Sequence, residues 1–491
     1  MGAIGAIGAI GAMGAIGAMG AIGAIGAIGA RGARGARAYV VSGFSRTVVI
    51  ALALAISVPV GADQRDVNLI EAIQRRDEKS FAALLRAKAN VNAARPDGAT
   101  ALAWAVHLGL QPMAEALIAA GANVNTVDEY GESPLTLAAA NGDAALVQRL
   151  LAAGANARAT RWNGETALMV AAGAGSVAAV RQLVLRGADV NAADPRRGQT
   201  ALMWAAAEGH ADVVTALVEI GANIKAVSKN GFSPLVFAVT KNDVPSIKAL
   251  LAAGADPNQP LASGSYPLVI AMAYRHSDAA LALLAGGANV NVRDRAGYSP
   301  LHVAAQQGDL PVVKDLLARG VDPNVRTPRS LAGAGRGGGG GFRAGPSGEQ
   351  TPLMMAARGD YEEVMRALVA GGADPSVRAQ DGSNLAMAAA GGARFKTFKY
   401  AYDLNPDVTP VTTPGGNTIM HIVVALNGRT QPEVVEIMQF LADRGAKLDE
   451  MNAAGRTPIA LADGQPVDLA VDLLTKLLTE RGEKPKIPSR R

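Results

Sequence analysis

The string Ser299-Pro-Leu-His-Val-Ala-Ala305 recurs in ten looser copies along the chain, and no other feature constrains the fold as much. Aligned on the residue that opens each copy, the starts fall at Thr100, Ser133, Thr166, Thr200, Ser233, Tyr266, Ser299, Thr351, Ser383, Thr418 and Thr457. Half of the intervals are 33 residues and the others are 34, 52, 32, 35 and 39. A period of this size predicts a solenoid, in which no unit buries its apolar face alone and each relies on its neighbours. A chain of 491 residues would ordinarily predict several domains; here length reads as repeat number.

Each copy has the same internal grammar. A Gly stands two residues before most openers, as at Gly98, Gly131, Gly164, Gly198, Gly231, Gly264 and Gly297, often after Asn or Asp. That pattern suits a tight turn with positive φ, a fingertip. The Thr or Ser then predicts an N-cap, and the Pro that often follows fits the first helical position, where its missing N–H removes nothing the helix needs. A helix of about nine residues follows, Ala-rich as in Leu202-Met-Trp-Ala-Ala-Ala207, and breaks at a Gly such as Gly209. A second helix shows apolar residues three and four apart, as in Val213, Val214, Leu217 and Val218, and ends at a Gly such as Gly221. The unit closes with Ala-Asn/Asp-Val-Asn. Trp104 and Trp204, four residues after their openers, are expected in the core between helices.

These strings resemble the ankyrin repeat family, whose signature is a 33-residue unit with a T-P-L-H-x-A pattern. The resemblance covers roughly Val67 to Leu478, with Asn68-Leu-Ile-Glu-Ala-Ile73 as the first helix of an N-terminal cap. It implies an all-α ankyrin-repeat solenoid of about twelve helix-turn-helix units with β-turn fingertips, and a concave groove lined by fingertips and first helices. The His of the pattern stands only at His302 and His421. Ankyrin modules bind other proteins, and catalysis is not their usual role.

Composition agrees with a binding scaffold. The chain has no Cys, which excludes disulfides, thiolate nucleophiles and Cys-based metal sites. The five histidines, His107, His210, His276, His302 and His421, lie in different repeats without metal-ligand spacing, so neither a metal nor a cofactor is expected. His210, His302 and His421 occupy positions that are structural in the family. The net charge of +5 is partly a property of the N-terminal segment: beyond residue 62 the chain has 43 basic residues against 42 acidic, without the excess typical of nucleic-acid binders.

The N-terminal segment divides in two. Residues 1–37 form a low-complexity leader of Gly-Ala-Ile, Gly-Ala-Met and Gly-Ala-Arg triplets, which reads as a translated tandem nucleotide repeat preceding a start near Val40. Residues 38–62 read as a signal peptide: four arginines and no acids lie between Arg31 and Ala62, with the apolar run Val48–Val60 and a small-residue cleavage site after Ala62. The run is too short to span a bilayer, so no stable membrane insertion is expected after cleavage, and the protein is expected to be periplasmic or secreted.

Residues 63–480 form the repeat array and 481–491 a basic tail. A Gly/Arg-rich insertion at 328–348, containing Gly337–Gly341, lengthens one fingertip and reads as a flexible loop. At 394–410 the second helix loses its spacing, and Phe395, Phe398, Tyr400 and Tyr402 are open to two readings, filling of a distorted core or an exposed adhesive patch. The resemblance places exposed positions beside the turn glycines and near the ends of first helices. There the chain has Tyr130, Trp162, Arg196, Arg197, Lys229, Phe232, Arg295 and Tyr298, with Tyr274, Gln306 and Gln307 on the helix side. Tyr, Trp and Arg dominate interface hot spots, so these residues are the expected protein-binding stripe, each ring being equally suited to packing on the next fingertip. The function expected is a monomeric exported scaffold or adaptor gripping a protein client through the concave face, not an enzyme. The alternative is an enzyme or small-ligand-binding protein with a site in the irregular C-terminal repeats.

Overall fold

The computed structural model describes residues 64–329, 348–424, 430–463 and 466–485, with the side chains of 64–68 left out. The leader 1–37, the signal segment 38–62, nearly all of the insertion 328–348 and the end of the basic tail lie outside the described residues. Twenty-four helices are described and no strand; three isolated antiparallel bridges, Ala94–Thr100, Thr160–Thr166 and Ala193–Thr200, pin turns beside the openers. The chain divides into two units at Ile270/Ala271, inside one of the helices.

In unit 1 the helices come in pairs: α1 (Gln64–Gln74) with α2 (Glu78–Arg86), α3 (Ala101–His107) with α4 (Gln111–Ala119), and α5 (Pro134–Ala140) with α6 (Ala144–Ala152). Then follow α7 (Ala167–Gly173) with α8 (Val177–Leu185), α9 (Ala201–Glu208) with α10 (Ala211–Glu219), and α11 (Pro234–Lys241) with α12 (Val244–Ala252). Helix α13 (Pro267–Ala273) carries the division, and unit 2 continues with α14 (Ser277–Ala285). Its pairs are α15 (Pro300–Gln307) with α16 (Leu310–Ala318), α17 (Pro352–Arg358) with α18 (Glu362–Ala370), and α19 (Leu385–Ala390) with α20 (Phe395–Leu404). The last are α21 (Ile419–Val423) with α22 (Gln431–Ala442), and α23 (Pro458–Ala462) with α24 (Asp468–Glu480).

Within each unit first helices stack on first helices, as α5 on α7 and α7 on α9, and each pairs with its own second helix. The stacking is close because the middle of most first helices is Ala: Ala138, Ala171, Ala205 and Ala238 are fully buried. Leu102, Leu135, Leu168, Leu202 and Leu235, two residues past their openers, form the apolar line, with Leu117, Leu150, Leu183, Leu217 and Leu250 opposite them on the second helices. Each buried Leu contributes about 1.5–3 kcal/mol, so repetition rather than one large core holds a unit together.

The local grammar is realised bond by bond. The glycines from Gly98 to Gly297 that precede the openers take φ between +67° and +84°. Thr100, Ser133, Thr166, Thr200, Ser233, Ser299, Thr351 and Thr457 accept, through their hydroxyls, the backbone N–H three residues on. These caps form whether or not the pattern's His is present. What His adds is a link to the next repeat: His302 holds the Ser299 hydroxyl at 2.8 Å through Nδ1 and reaches the Gln350 carbonyl at 3.0 Å through Nε2. His421 repeats this with Thr418 and the Arg456 carbonyl. One opener moves. The ninth first helix is capped by Asn384, not Ser383, its Oδ1 accepting from Met387 N at 2.9 Å. Counted from Asn384, the neighbouring intervals become 33 and 34, close to the common period.

Two ladders tie the repeats together. The closing Asn of one repeat bridges to the next: Asn92 accepts from Asn123 N at 2.7 Å and donates to the Gly121 carbonyl at 3.3 Å, and Asn125 does the same with Asn156 N at 2.8 Å and Gly154. Asn324 repeats it in unit 2 with Asp374 N and Gly372. At the other end of the turns a single backbone bond joins adjacent fingertips, Glu129 N to Asp97 O (2.9 Å), Trp162 N to Tyr130 O (3.2 Å) and Lys229 N to Arg197 O (2.8 Å).

The irregular region of unit 2 resolves as core. Phe440 on α22 meets Phe395, Phe398 and Tyr402 of α20 edge-to-face at 5.5, 6.0 and 5.2 Å, and Arg444 lies 3.5 Å from its ring centroid. Phe398 is wholly buried, and Tyr400 is covered by Arg366 at 4.2 Å. The aromatics replace the missing aliphatic spacing of α20, with Phe398 and Tyr402 buried and Phe395 and Tyr400 half-buried.

Candidate functional site

Position within the fingertip decides where each side chain points. Residues three or four before the opener project outward: Tyr130 is 38% exposed and Trp162 64% exposed, with Arg196, Arg197 and Lys229 beside them on the following fingertips. The residue immediately before the opener turns inward. Phe232 packs edge-to-face on Phe237 of α11 at 5.7 Å, and in unit 2 Tyr298 stacks on His302 of α15 at 6.1 Å. Phe232 and Tyr298 are therefore half-buried, and the expected stripe divides into outward and inward members. In unit 2 Tyr274 is 37% exposed and stacks on His276 at 5.6 Å, while Arg295 is exposed.

The outward members of unit 1 are pre-arranged. Arg196 lies 4.9 Å from the Trp162 ring centroid, covering one face of the indole, and Lys229 Nζ donates to the Pro195 carbonyl at 2.5 Å. Beneath them Arg161 is buried between Glu132 (Nε–Oε1 2.7 Å) and Glu165 (Nη1–Oε2 3.1 Å); the first contact is a close ion pair whose N–H is not aimed at the oxygen. Two carboxylates drawn from adjacent fingertips onto one guanidinium fix the ridge from below.

Trp104 and Trp204 correct the sequence reading. Both are half-buried, not core. Four residues past the opener is the side of the first helix that faces the fingertips: Arg95 of a fingertip lies 5.8 Å from the Trp104 ring, and Phe237, at the same position, receives Phe232. With the half-buried Leu137, and the buried Val170 at the same position, these residues form a mostly apolar strip in unit 1, overhung by charged and aromatic fingertips. The spacing gave these residues a common position in the repeat but not the helix face that meets the fingertips, so the strip was read as core.

The histidines take up contacts within the repeats. His107 is exposed against Trp104, His210 Nε2 bonds the Gly173 carbonyl at 3.0 Å, and burial holds the His302 pKa down to about 4 and that of His421 below its ordinary value. Two shallow concavities of about 280 and 570 Å³ are lined by Lys225 with Asp256 and by Arg158 with Asp189, and neither includes a His. Among the described residues no group of His, Asp or Glu is placed to hold a metal, and no helix is long and apolar enough to cross a membrane.

A family model described as "Ankyrin repeats (3 copies)" matches residues 69–161, 110–194, 135–228, 168–260 and 235–327, more than half of the chain, and one described as "Ankyrin repeat" matches 348–380. The chain belongs to the ankyrin repeat family. Among solved structures it is similar to the human ASB11 ankyrin repeat domain, with 27% identity over 45% of this chain and 98% of that chain, at a TM-score of 0.41. The comparison with curated proteins returned no match. Ankyrin repeats are generally protein–protein interaction scaffolds, and the fold is typically non-catalytic.

Proposed function

We propose that this ankyrin protein is an exported scaffold that grips a protein client along the fingertip ridge and the adjoining first-helix face. The observation that carries this reading is Trp162, a large indole 64% exposed at a fingertip and backed by Arg196, with the half-buried Trp104, Leu137, Trp204 and Phe237 at the fingertip-facing position of the first helices. An exposed Trp held in place by a cation on one face loses little entropy on binding and offers the other face to a partner. Export is supported by the charged, apolar and small-residue layout ending at Ala62.

Affinity capture with the full chain from cells that express it is the test, run beside Trp162→Ala and a Leu185→Ala control on the second-helix side. Leu185 is the most exposed large apolar residue of that side, so it reports non-specific adhesion. A client retained by wild type and by Leu185→Ala but lost with Trp162→Ala supports the assignment. Equal loss with both, or with neither, refutes it. Retention of the unprocessed chain in the cytoplasm would refute export separately.

A further inference from the structure

Arg358, the last residue of α17, is a half-buried cation of unit 2 with no carboxylate within ion-pairing distance among the described residues. Its side chain runs back along α17 towards the fingertips, and Nη1 donates to Gln350 Oε1 at 2.8 Å. Around the guanidinium stand Tyr298, Gln350 and Asp381, all from fingertips. None forms an ion pair with it, although the Asp381 charge acts on it. Gln350 is uncharged, the Tyr298 phenol is held protonated by burial and by Asp294, and the Asp381 carboxylate is beyond ion-pairing distance, accepting from Ser383 N at 3.0 Å. The neighbouring acid, Glu349, is taken by Arg329 at 2.6 Å and Arg326 at 3.8 Å. The adjoining segment 330–347 contains no Asp or Glu, so it supplies no counter-ion either.

Burial lowers the pKa of this guanidinium, and its hydrogen bond to the neutral Gln350 occupies one of its five N–H donors. The next first helix, α19, is followed by Gly391 and Gly392. A Cβ at Gly392 would lie 2.5 Å from the Arg358 carbonyl oxygen, so close packing explains that glycine. At Gly391, whose backbone is ordinary right-handed, a Cβ would stand 3.1 Å from the Ala388 carbonyl oxygen and 3.7 Å from Arg358 Nε, so a side chain there would also lie against the guanidinium.

We propose that Arg358 is an anchor for a carboxylate presented by the bound protein, either an acidic side chain or a chain terminus. It rests on the protein-binding reading above and names the partner's chemistry in unit 2. A carboxylate fits better than a phosphate, because the guanidinium supplies one positive charge and Asp381 and Asp294 stand nearby to repel a dianion.

The experiment uses the full chain with two synthetic random decapeptide libraries, one with free C-termini and one amidated and lacking Asp and Glu. Peptides selected on wild type are measured on wild type, Arg358→Gln and Trp162→Ala. In parallel, thermal stability is compared in sodium acetate and sodium chloride at matched ionic strength, with circular dichroism to confirm that Arg358→Gln is folded. The expected result is peptides carrying a carboxylate at a fixed position or at the C-terminus. Removing that carboxylate and Arg358→Gln should each weaken binding about 10- to 100-fold without adding to one another. Acetate should raise the melting temperature of wild type and not of Arg358→Gln. Peptides that bind without a carboxylate, lose affinity with Trp162→Ala and ignore Arg358→Gln would overturn the anchor and leave the protein-binding reading standing. An acetate effect that needs Arg358, with no peptide bound from either library, would overturn the protein occupant. No acetate effect and no carboxylate preference would overturn the site.

Discussion

Two glycine-to-alanine changes in unit 1 separate backbone strain from fingertip contact. Gly131 and Gly154 both have positive φ, +70° and +90°. Alanine at either position takes up left-handed strain of about 1–2 kcal/mol, offset by about 0.4–1 kcal/mol from the stiffer unfolded chain. A Cβ at Gly154 meets nothing within 4 Å, so the strain is the whole effect. At Gly131 the Cβ would lie 2.7 Å from Trp162 N and 3.1 Å from the Arg161 carbonyl carbon, backbone atoms of the next fingertip. Relief requires the fingertips to part, stretching the 3.2 Å bond from Trp162 N to Tyr130 O and disturbing the Arg161 ion pairs. Overpacking costs about 1–3 kcal/mol and a lost hydrogen bond about 0.5–1.5 kcal/mol, so Gly131→Ala should be about 2–4 kcal/mol worse than Gly154→Ala. Urea unfolding followed by circular dichroism gives the difference, and fluorescence of the exposed Trp162 reports whether the ridge moved. Equal midpoints for the two variants would refute the claim that fingertip contact, and not φ alone, requires Gly131.

Three further outcomes follow from the same geometry. His302 has a folded pKa of about 4 against 6.5 in the unfolded chain, so the unfolded state takes up the proton first as pH falls; stability should be full above 6.5 and decline by about 3 kcal/mol on the way down to 4, and His302→Gln should flatten that slope in a pH series of urea midpoints. Trp162→Ala should weaken client binding by about 2 kcal/mol or more with stability changed by less than about 0.5 kcal/mol, whereas Phe232→Ala, which removes a ring packed on Phe237, should lower both; a stability loss confined to Trp162→Ala would reverse the assignment of outward and inward positions. Arg161→Leu leaves Glu132 and Glu165 facing each other under the ridge and should cost about 3–5 kcal/mol, with the double change Glu132→Gln/Glu165→Gln restoring part of it; a neutral Arg161→Leu would show the ion pairs to be incidental.

What was legible in the sequence is what depends on a few neighbouring residues. A turn glycine, a capping hydroxyl and a following proline act within one turn, and the His302 and His421 links repeat a local pattern. Burial depends on the neighbouring repeat, and there the reading was incomplete. Trp104 and Trp204 were expected in the core because large apolar residues usually are; their position four past the opener puts them on the helix face under the fingertips. Phe232 and Tyr298 looked equivalent to Tyr130 and Trp162, yet two or three residues of offset turns them onto their own helices. The aromatics of α20 could not be placed without Phe440, about forty residues on, which gathers them into a core. Asn384 capped in place of Ser383 because an Asn accepts the N3 amide as well as a hydroxyl does. Arg358 drew no notice in the sequence, since nothing local shows that it lacks a counter-ion.

The most direct measurement is amide hydrogen exchange on the full chain with and without the client recovered by capture. Binding through the ridge and first-helix face predicts slowed exchange at 127–133, 160–166 and 193–200 and along α3, α7 and α9, with α8 and α10 unchanged. Protection concentrated on α8 and α10, with the fingertips exchanging as before, would contradict the account.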